Sequence, residues 1–150
     1  MTRTHLLRAL TLSLGLVAVT GCAQTKKVVS HAKIVGDHIE LDDHIHFETG
    51  KADIKADSHE LLNDLATVLK LNKDIATVNI HGHTDKSGDA AFNQTLSEQR
   101  AAAVKTYLEG KGVKKNLVTK GFGQSKPVCE EETPACHAKN RRVEFIIEKS

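Results

Sequence analysis
The segment Ile80-His81-Gly82-His83-Thr84-Asp85 places two imidazoles and a carboxylate on alternate positions, and Arg100 follows fifteen residues after Asp85. Two kinds of chemistry suit these groups. Imidazoles clustered with a carboxylate could hold a metal ion that activates water. Alternatively, Arg100 offers a planar fork that holds a carboxylate with two parallel hydrogen bonds, and Asp85 offers acceptors for an ammonium. The plain reading of the same pair is a salt bridge that holds a loop to a helix.

The metal reading meets obstacles in the sequence. His81-x-His83-x-Asp85 resembles part of the H-x-H-x-D-H signature of metallo-β-lactamase-like enzymes, but Lys86 stands where the final His belongs. The chain is also short for that two-sheet fold. A non-enzymatic metal site is a softer rival, because the chain has nine His, and His44, His46, His81 and His83 could meet on one sheet face. Alternating His on an exposed face is more often solvated surface. No metal and no cofactor are therefore assigned. No Cys/His or Ser/His/Asp dyad stands at suggestive spacing, and no paired carboxylates flank an identifiable cleft. The chain reads as a non-enzyme.

The 150 residues allow one domain and a short extra segment. The formal charge of +2 comes from residues 1–21, which hold Arg3 and Arg8 and no acid. The remainder is formally neutral, which argues against a nucleic-acid binder. After the arginines, Ala9–Val19 is apolar apart from Thr11 and Ser13. That run is shorter than the roughly 20 residues of a membrane-spanning helix and has the length of a signal-peptide core. Val19-Thr20-Gly21-Cys22 then resembles the lipobox of bacterial lipoproteins. The resemblance implies cleavage before Cys22, a diacylglycerol on its sulfur and an acylated amine, which together anchor stably. An ordinary secretory signal with an incidental Cys is the alternative. Lipid on Cys22 leaves Cys129 and Cys136 of the three cysteines. In an oxidising compartment these two are expected to form a disulfide around Glu130–Ala135; the alternative is two free thiols in a surface loop.

The elements that must position Asp85 and Arg100 are legible in outline. Ala23–Asp37 lacks clear periodicity and reads as a tether, which places residues 22–37 between a signal segment (1–21) and a domain (38–150). Ile39, Leu41, Ile45 and Phe47 alternate with polar residues, which predicts one half-buried strand. Leu61, Leu62, Leu65, Val68 and Leu69 predict a helix, with Asp57 and Glu60 as its capping box and Ser58 as an alternative cap. Thr77–His81 predicts a strand and Gly82–Thr95 a loop. Ser97 is the expected cap of a second helix, which runs to Glu109 and stops at Gly110 and Gly112 and carries Arg100 in its first turn. Leu117–Gly123 and the alternating Val143, Phe145 and Ile147 predict two last strands. The order β-α-β-α-β-β gives an α+β fold, a mixed sheet with two helices packed on one face.

The pattern G-H-T-D-x-x-G-x(4)-N-x-x-L-S-x-x-R-A fits Gly82 through Ala101 at every fixed position, and Gly121-Phe122-Gly123 and Asn140-Arg141-Arg142 follow. From about Ile39 to Glu148 the chain resembles the OmpA-like peptidoglycan-binding domain. The resemblance implies a target in the stem peptide of peptidoglycan, at diaminopimelate, which carries a carboxylate and an ammonium close together. It maps the family's Asp and Arg onto Asp85 and Arg100, and a supporting Asn onto Asn93. Phe47, Thr84 and Arg141 are candidates for the pocket wall. Backbone N–H groups at the start of the second helix would add positive potential there, while Arg142 is read as facing solvent.

With the lipobox, the resemblance implies a periplasm-facing outer-membrane lipoprotein that tethers that membrane to the wall, with the Tol proteins as partners. Ala23 after the Cys agrees with the outer membrane. Partner binding without wall binding is the rival, and the retained Asp85 and Arg100 argue against it. One departure stands out. Relatives carry two acids after the first strand, whereas here Phe47-Glu48-Thr49-Gly50 lacks the second, whose contact is lost or replaced by backbone at Gly50. The Glu130–Glu132 loop reads as a solvated tip or as a patch for a basic partner.

Overall fold
A computed structural model of the chain describes residues 30–150. The signal segment, Cys22 and the first part of the expected tether, up to residue 29, lie outside the described residues.

The architecture is α+β: a five-stranded mixed sheet in the order β1-β2-β5-β3-β4, with three helices. The strands are β1 (Ala32–Val35), β2 (His38–Leu41), β3 (Ile75–Gly82), β4 (Asn116–Gly121) and β5 (Val143–Lys149). The helices are α1 (His59–Leu71), α2 (Ala90–Gly110) and α3 (Pro134–Asn140). β5 returns to the sheet centre, antiparallel to both β2 and β3, while β3 and β4 run parallel with α2 as their crossover. Val78, Ile80, Phe145 and Ile147 point to one face, where they meet Leu62, Leu65 and Leu69 of α1 and Val104 and Leu108 of α2. No helix among the described residues is long and apolar enough to cross a membrane.

Four local readings needed correction. Residues 32–35, expected in the tether, form β1. Gly36 (φ 62°) and Asp37 are the two loop residues of a hairpin that pairs Val35 with His38, and glycine at the first of them suits that turn. The strand expected to run from Ile39 to Phe47 ends at Leu41. The alternation continues because Ile45 is buried and Phe47 packs on the core, yet Phe47 makes only an isolated bridge to Ile54.

The caps also differ. Asp57 makes no capping box. Its carboxylate meets the His46 ring at 3.2 Å, and the Ser58 hydroxyl accepts from the His46 amide instead. α2 begins at Ala90, where the Asp89 carboxylate accepts from the Phe92 amide at 2.8 Å, so Ser97 is interior and is no cap. Its sheet-facing stripe mixes Asn93, Ser97 and Arg100 with Leu96, Ala101, Val104 and Leu108, which hides the amphipathic period. The third helix was unforeseen. Thr133 caps it by accepting from the Cys136 amide, and Pro134 occupies its first turn.

Candidate functional site
Two glycines bring α2 against the sheet. A Cβ on Gly82 would lie 2.1 Å from the Ser97 carbonyl oxygen, and one on Gly121 would lie 2.5 Å from the Ser97 hydroxyl. Gly82 and Gly121 are partners across β3 and β4, so together they make the notch in which Ser97 sits. The Ser97 hydroxyl accepts from the Gly123 amide at 2.9 Å and donates to the Gln94 carbonyl. Gly-His-Thr-Asp, the Ser of α2 and Gly-Phe-Gly thus form one packing unit. Its function is to fix the chain leaving β3 relative to the middle of α2.

That chain carries Asp85. The Thr84 amide donates to the Gly123 carbonyl, the His83 amide to the Arg142 carbonyl, and the Asn93 amide group to the Ser87 carbonyl and the Gln124 side chain. Asn93 is 4% exposed and holds the loop from inside. Thr84 is buried, and its hydroxyl lies away from the lining of the pocket described below.

Asp85 is 8% exposed and is paired with Arg141, not with Arg100. Its Oδ2 accepts from Arg141 Nη1 at 2.6 Å and its Oδ1 from the Ser87 amide at 2.9 Å. Burial acts to raise its pKa, but these hydrogen bonds outweigh burial and hold the carboxyl below its ordinary value. The salt bridge read between Asp85 and Arg100 is therefore replaced by one to α3's C-cap residue.

Arg100 is 9% exposed and lies in the middle of α2, not in its first turn. The helix's N-terminal amides are consequently remote from it. Its Nε donates to the Lys51 carbonyl at 3.1 Å, and its guanidinium carbon lies 4.9 Å from the centre of the Phe47 ring. Both supports come from the turn 47–54, held by Glu48 and Asp53 and bent at Gly50 (φ 67°). Burial, and then the nearby Arg141 charge, lowers the Arg100 pKa, though a guanidinium stays cationic. Among the described residues, neither terminal nitrogen of Arg100 takes a protein hydrogen bond. They open onto a pocket of about 210 Å³ that Phe47, Lys55, His83, Arg141 and Arg142 help to line.

Two features of this pocket escaped the sequence reading. Arg142, expected in solvent, is mostly buried and pairs with Glu144 at 2.7 Å. His83 is 2% exposed and stacks parallel on Phe122 at 5.2 Å, with Nε2 3.4 Å from the Glu144 carboxylate. Burial lowers its pKa to about 4, and the Arg142 charge adds to this. The alternation His81-x-His83 implied an exposed face, but Phe122 covers it. Among the described residues, no three His, Cys, Asp or Glu side chains gather as a metal site.

A disulfide joins Cys129 and Cys136 and closes the loop from which α3 starts. The Asn140 side chain accepts from the Val128 and Cys129 amides and donates to the Cys129 carbonyl, so the loop fixes the helix end that carries Arg141. In the acidic loop, Glu130 pairs with Lys86 at 2.6 Å and Glu132 with His137 at 3.1 Å.

The sequence profile of the OmpA family matches residues 46–141, which include Phe47, Asp85, Asn93, Arg100 and Arg141. The chain belongs to the OmpA family. It is accordingly not an enzyme. Among curated OmpA-family relatives, the chain is 40% identical to outer-membrane lipoprotein YfiB of Pseudomonas aeruginosa, over 63% of this chain and 56% of YfiB. It is 42% identical to peptidoglycan-binding protein ArfA of Mycobacterium tuberculosis, over 65% of this chain and 30% of ArfA. The chain thus spans about half or less of the length of these relatives. Among solved structures, it resembles the peptidoglycan-associated lipoprotein of Burkholderia pseudomallei with a TM-score of 0.64 and 27% identity, over 72% of this chain and 92% of that one.

Proposed function
We propose that this chain is an outer-membrane lipoprotein, of the kind called peptidoglycan-associated lipoprotein, that binds the stem peptide of peptidoglycan at diaminopimelate. It thereby tethers the outer membrane to the wall without a covalent bond to it. The observation that carries this reading is Arg100. A guanidinium on a largely buried residue, with one nitrogen held by backbone and two open to a pocket, is built to receive a carboxylate in its fork. Phe47 beneath it holds the plane of that fork. Asp85 does not line this pocket; it sits behind Arg141, which does, so the diamino acid's ammonium reaches Asp85 by displacing Arg141 or sharing the carboxylate with it.

The relatives' names support the same class, since one is a wall-binding protein and another an outer-membrane lipoprotein. In this reading residues 1–21 are the signal peptide, Cys22 carries lipid, and the domain, which begins at β1 and not at residue 38, binds the wall from the periplasmic side. Avidity among many anchored copies lets weak single sites hold the envelope. Tol-system proteins are its expected partners, and nucleic acid is not.

Co-sedimentation of the chain with purified sacculi tests the reading. Wild type is expected to pellet with the wall, and Asp85→Ala and Arg100→Ala, folded by circular dichroism, are expected to stay in solution. Wild type remaining in solution would overturn wall binding and leave the partner-only lipoprotein. Mass spectrometry of the membrane fraction tests acylation of Cys22.

A further inference from the structure
The cations around the pocket are not equally answered. Arg141 has Asp85, and Arg142 has Glu144. Arg100 and Lys55 have no carboxylate within ion-pair distance among the described residues, yet both line the same cavity. Two acids stand two residues from Lys55: Asp53, which makes no ion pair with it, and Asp57, which feels the lysine charge but gives its carboxylate to His46. No Asp or Glu lines the cavity. Its remaining charged or titratable lining is Arg141, Arg142 and the imidazoles of His44, His46 and His83. Arg100 and Lys55 thus each present a cation without an ion-pair partner to the same pocket, and a bound anion at only one of them leaves the other without one.

From this we infer that the pocket has a second carboxylate subsite at Lys55. The site therefore recognises a stem end that presents two carboxylates, one to Arg100 and one to Lys55. This rests on the proposed wall-binding function and narrows its ligand. A diamino acid at the end of a stem has two free carboxyl groups. The same residue within a longer stem, or amidated at one carboxyl, has one. A cavity of about 210 Å³ holds such a group, given that a liquid water occupies about 30 Å³. Lys55 is only half-buried and directly follows the turn 47–54, so its side chain selects among ligands without building the fold.

The test is a calorimetric titration of the full chain in detergent with two probes. One is a tripeptide stem ending in diaminopimelate with both of its carboxyls free. The other is the same peptide with the carboxyl not held by Arg100 amidated. Wild type is expected to bind the free form about tenfold tighter, which corresponds to ~1.4 kcal/mol. In Lys55→Gln the free form is expected to weaken to the level of the amidated one, whose own affinity stays unchanged. Equal binding of both probes by wild type, with no effect of Lys55→Gln, would overturn the second subsite and leave wall binding standing. Binding of neither probe by wild type would overturn both.

Discussion
Asp85 accepts a 2.6 Å hydrogen bond from Arg141 across 56 residues of sequence, and this contact ties the loop after β3 to the end of α3. The anion of the proposed binding pair is thus held by a cation other than Arg100. Arg141 is itself about half exposed. In the proposed function, an incoming ammonium would meet a carboxylate already ionised and oriented by Arg141 and Ser87.

This arrangement predicts the titration of Asp85. Its folded pKa is depressed, so the pair contributes stability above the unfolded carboxyl pKa of about 3.9, and that contribution is lost as pH falls through the folded value. In Arg141→Gln the burial remains and the main hydrogen bond is gone. Carboxyl-detected NMR is expected to show the Asp85 pKa rise in that variant. An unchanged pKa would mean that Ser87 alone holds the carboxylate.

His83 has the same sign at a different pH. Its folded pKa is about 4 against an unfolded value near 6.5, so the unfolded chain binds the extra proton. Stability is complete above about pH 6.5 and falls as pH drops toward 4, by on the order of 2–3 kcal/mol from this group. Denaturant melts at pH 7 and pH 4.5 are expected to show this loss, and His83→Gln is expected to reduce it. A pH-independent midpoint in wild type over that range would refute the buried neutral ring.

The notch under Ser97 predicts a steep cost for one methyl group. Gly82→Ala drives a Cβ to 2.1 Å from the Ser97 carbonyl, a backbone atom that cannot rotate away. A loss of about 3 kcal/mol or more is expected in a thermal or urea melt, in the range of severe overpacking. Gly36→Ala, with open space but φ 62°, is expected to cost only about 1 kcal/mol. Equal costs at the two positions would mean that α2 shifts to admit the methyl and that the close approach to Ser97 is not what the glycine at 82 serves.

Much of this was legible because the relevant signals are periodic or local. The alternation of Val78 with Ile80 and of Phe145 with Ile147 placed the central strands, and the leucines of α1 placed the helix behind them. The start of α2 was hidden because its buried stripe is partly polar. Asn93, Ser97 and Arg100 hold the loop, the notch and the pocket, so they lack the apolar period of an ordinary core helix. β1 was missed although Gly36-Asp37 is a hairpin signal, because four residues offer little alternation. Asp85 and Arg100 were legible as residues, but the partner of Asp85 was not. Arg141 reaches it only because the disulfide-closed loop and Asn140 fix the end of α3, and nothing in sequence spacing reports that.

The central claim is that the open nitrogens of Arg100 receive a ligand carboxylate. The most direct measurement is nitrogen-15 NMR of the arginine side chains during titration with a stem tripeptide ending in diaminopimelate. The account predicts that the Arg100 guanidinium resonances shift saturably with ligand, and that Arg100→Lys, which keeps the charge but loses the fork, binds at least tenfold more weakly. Saturable binding that leaves the Arg100 resonances in place, with Arg100→Lys binding as well as wild type, would contradict it.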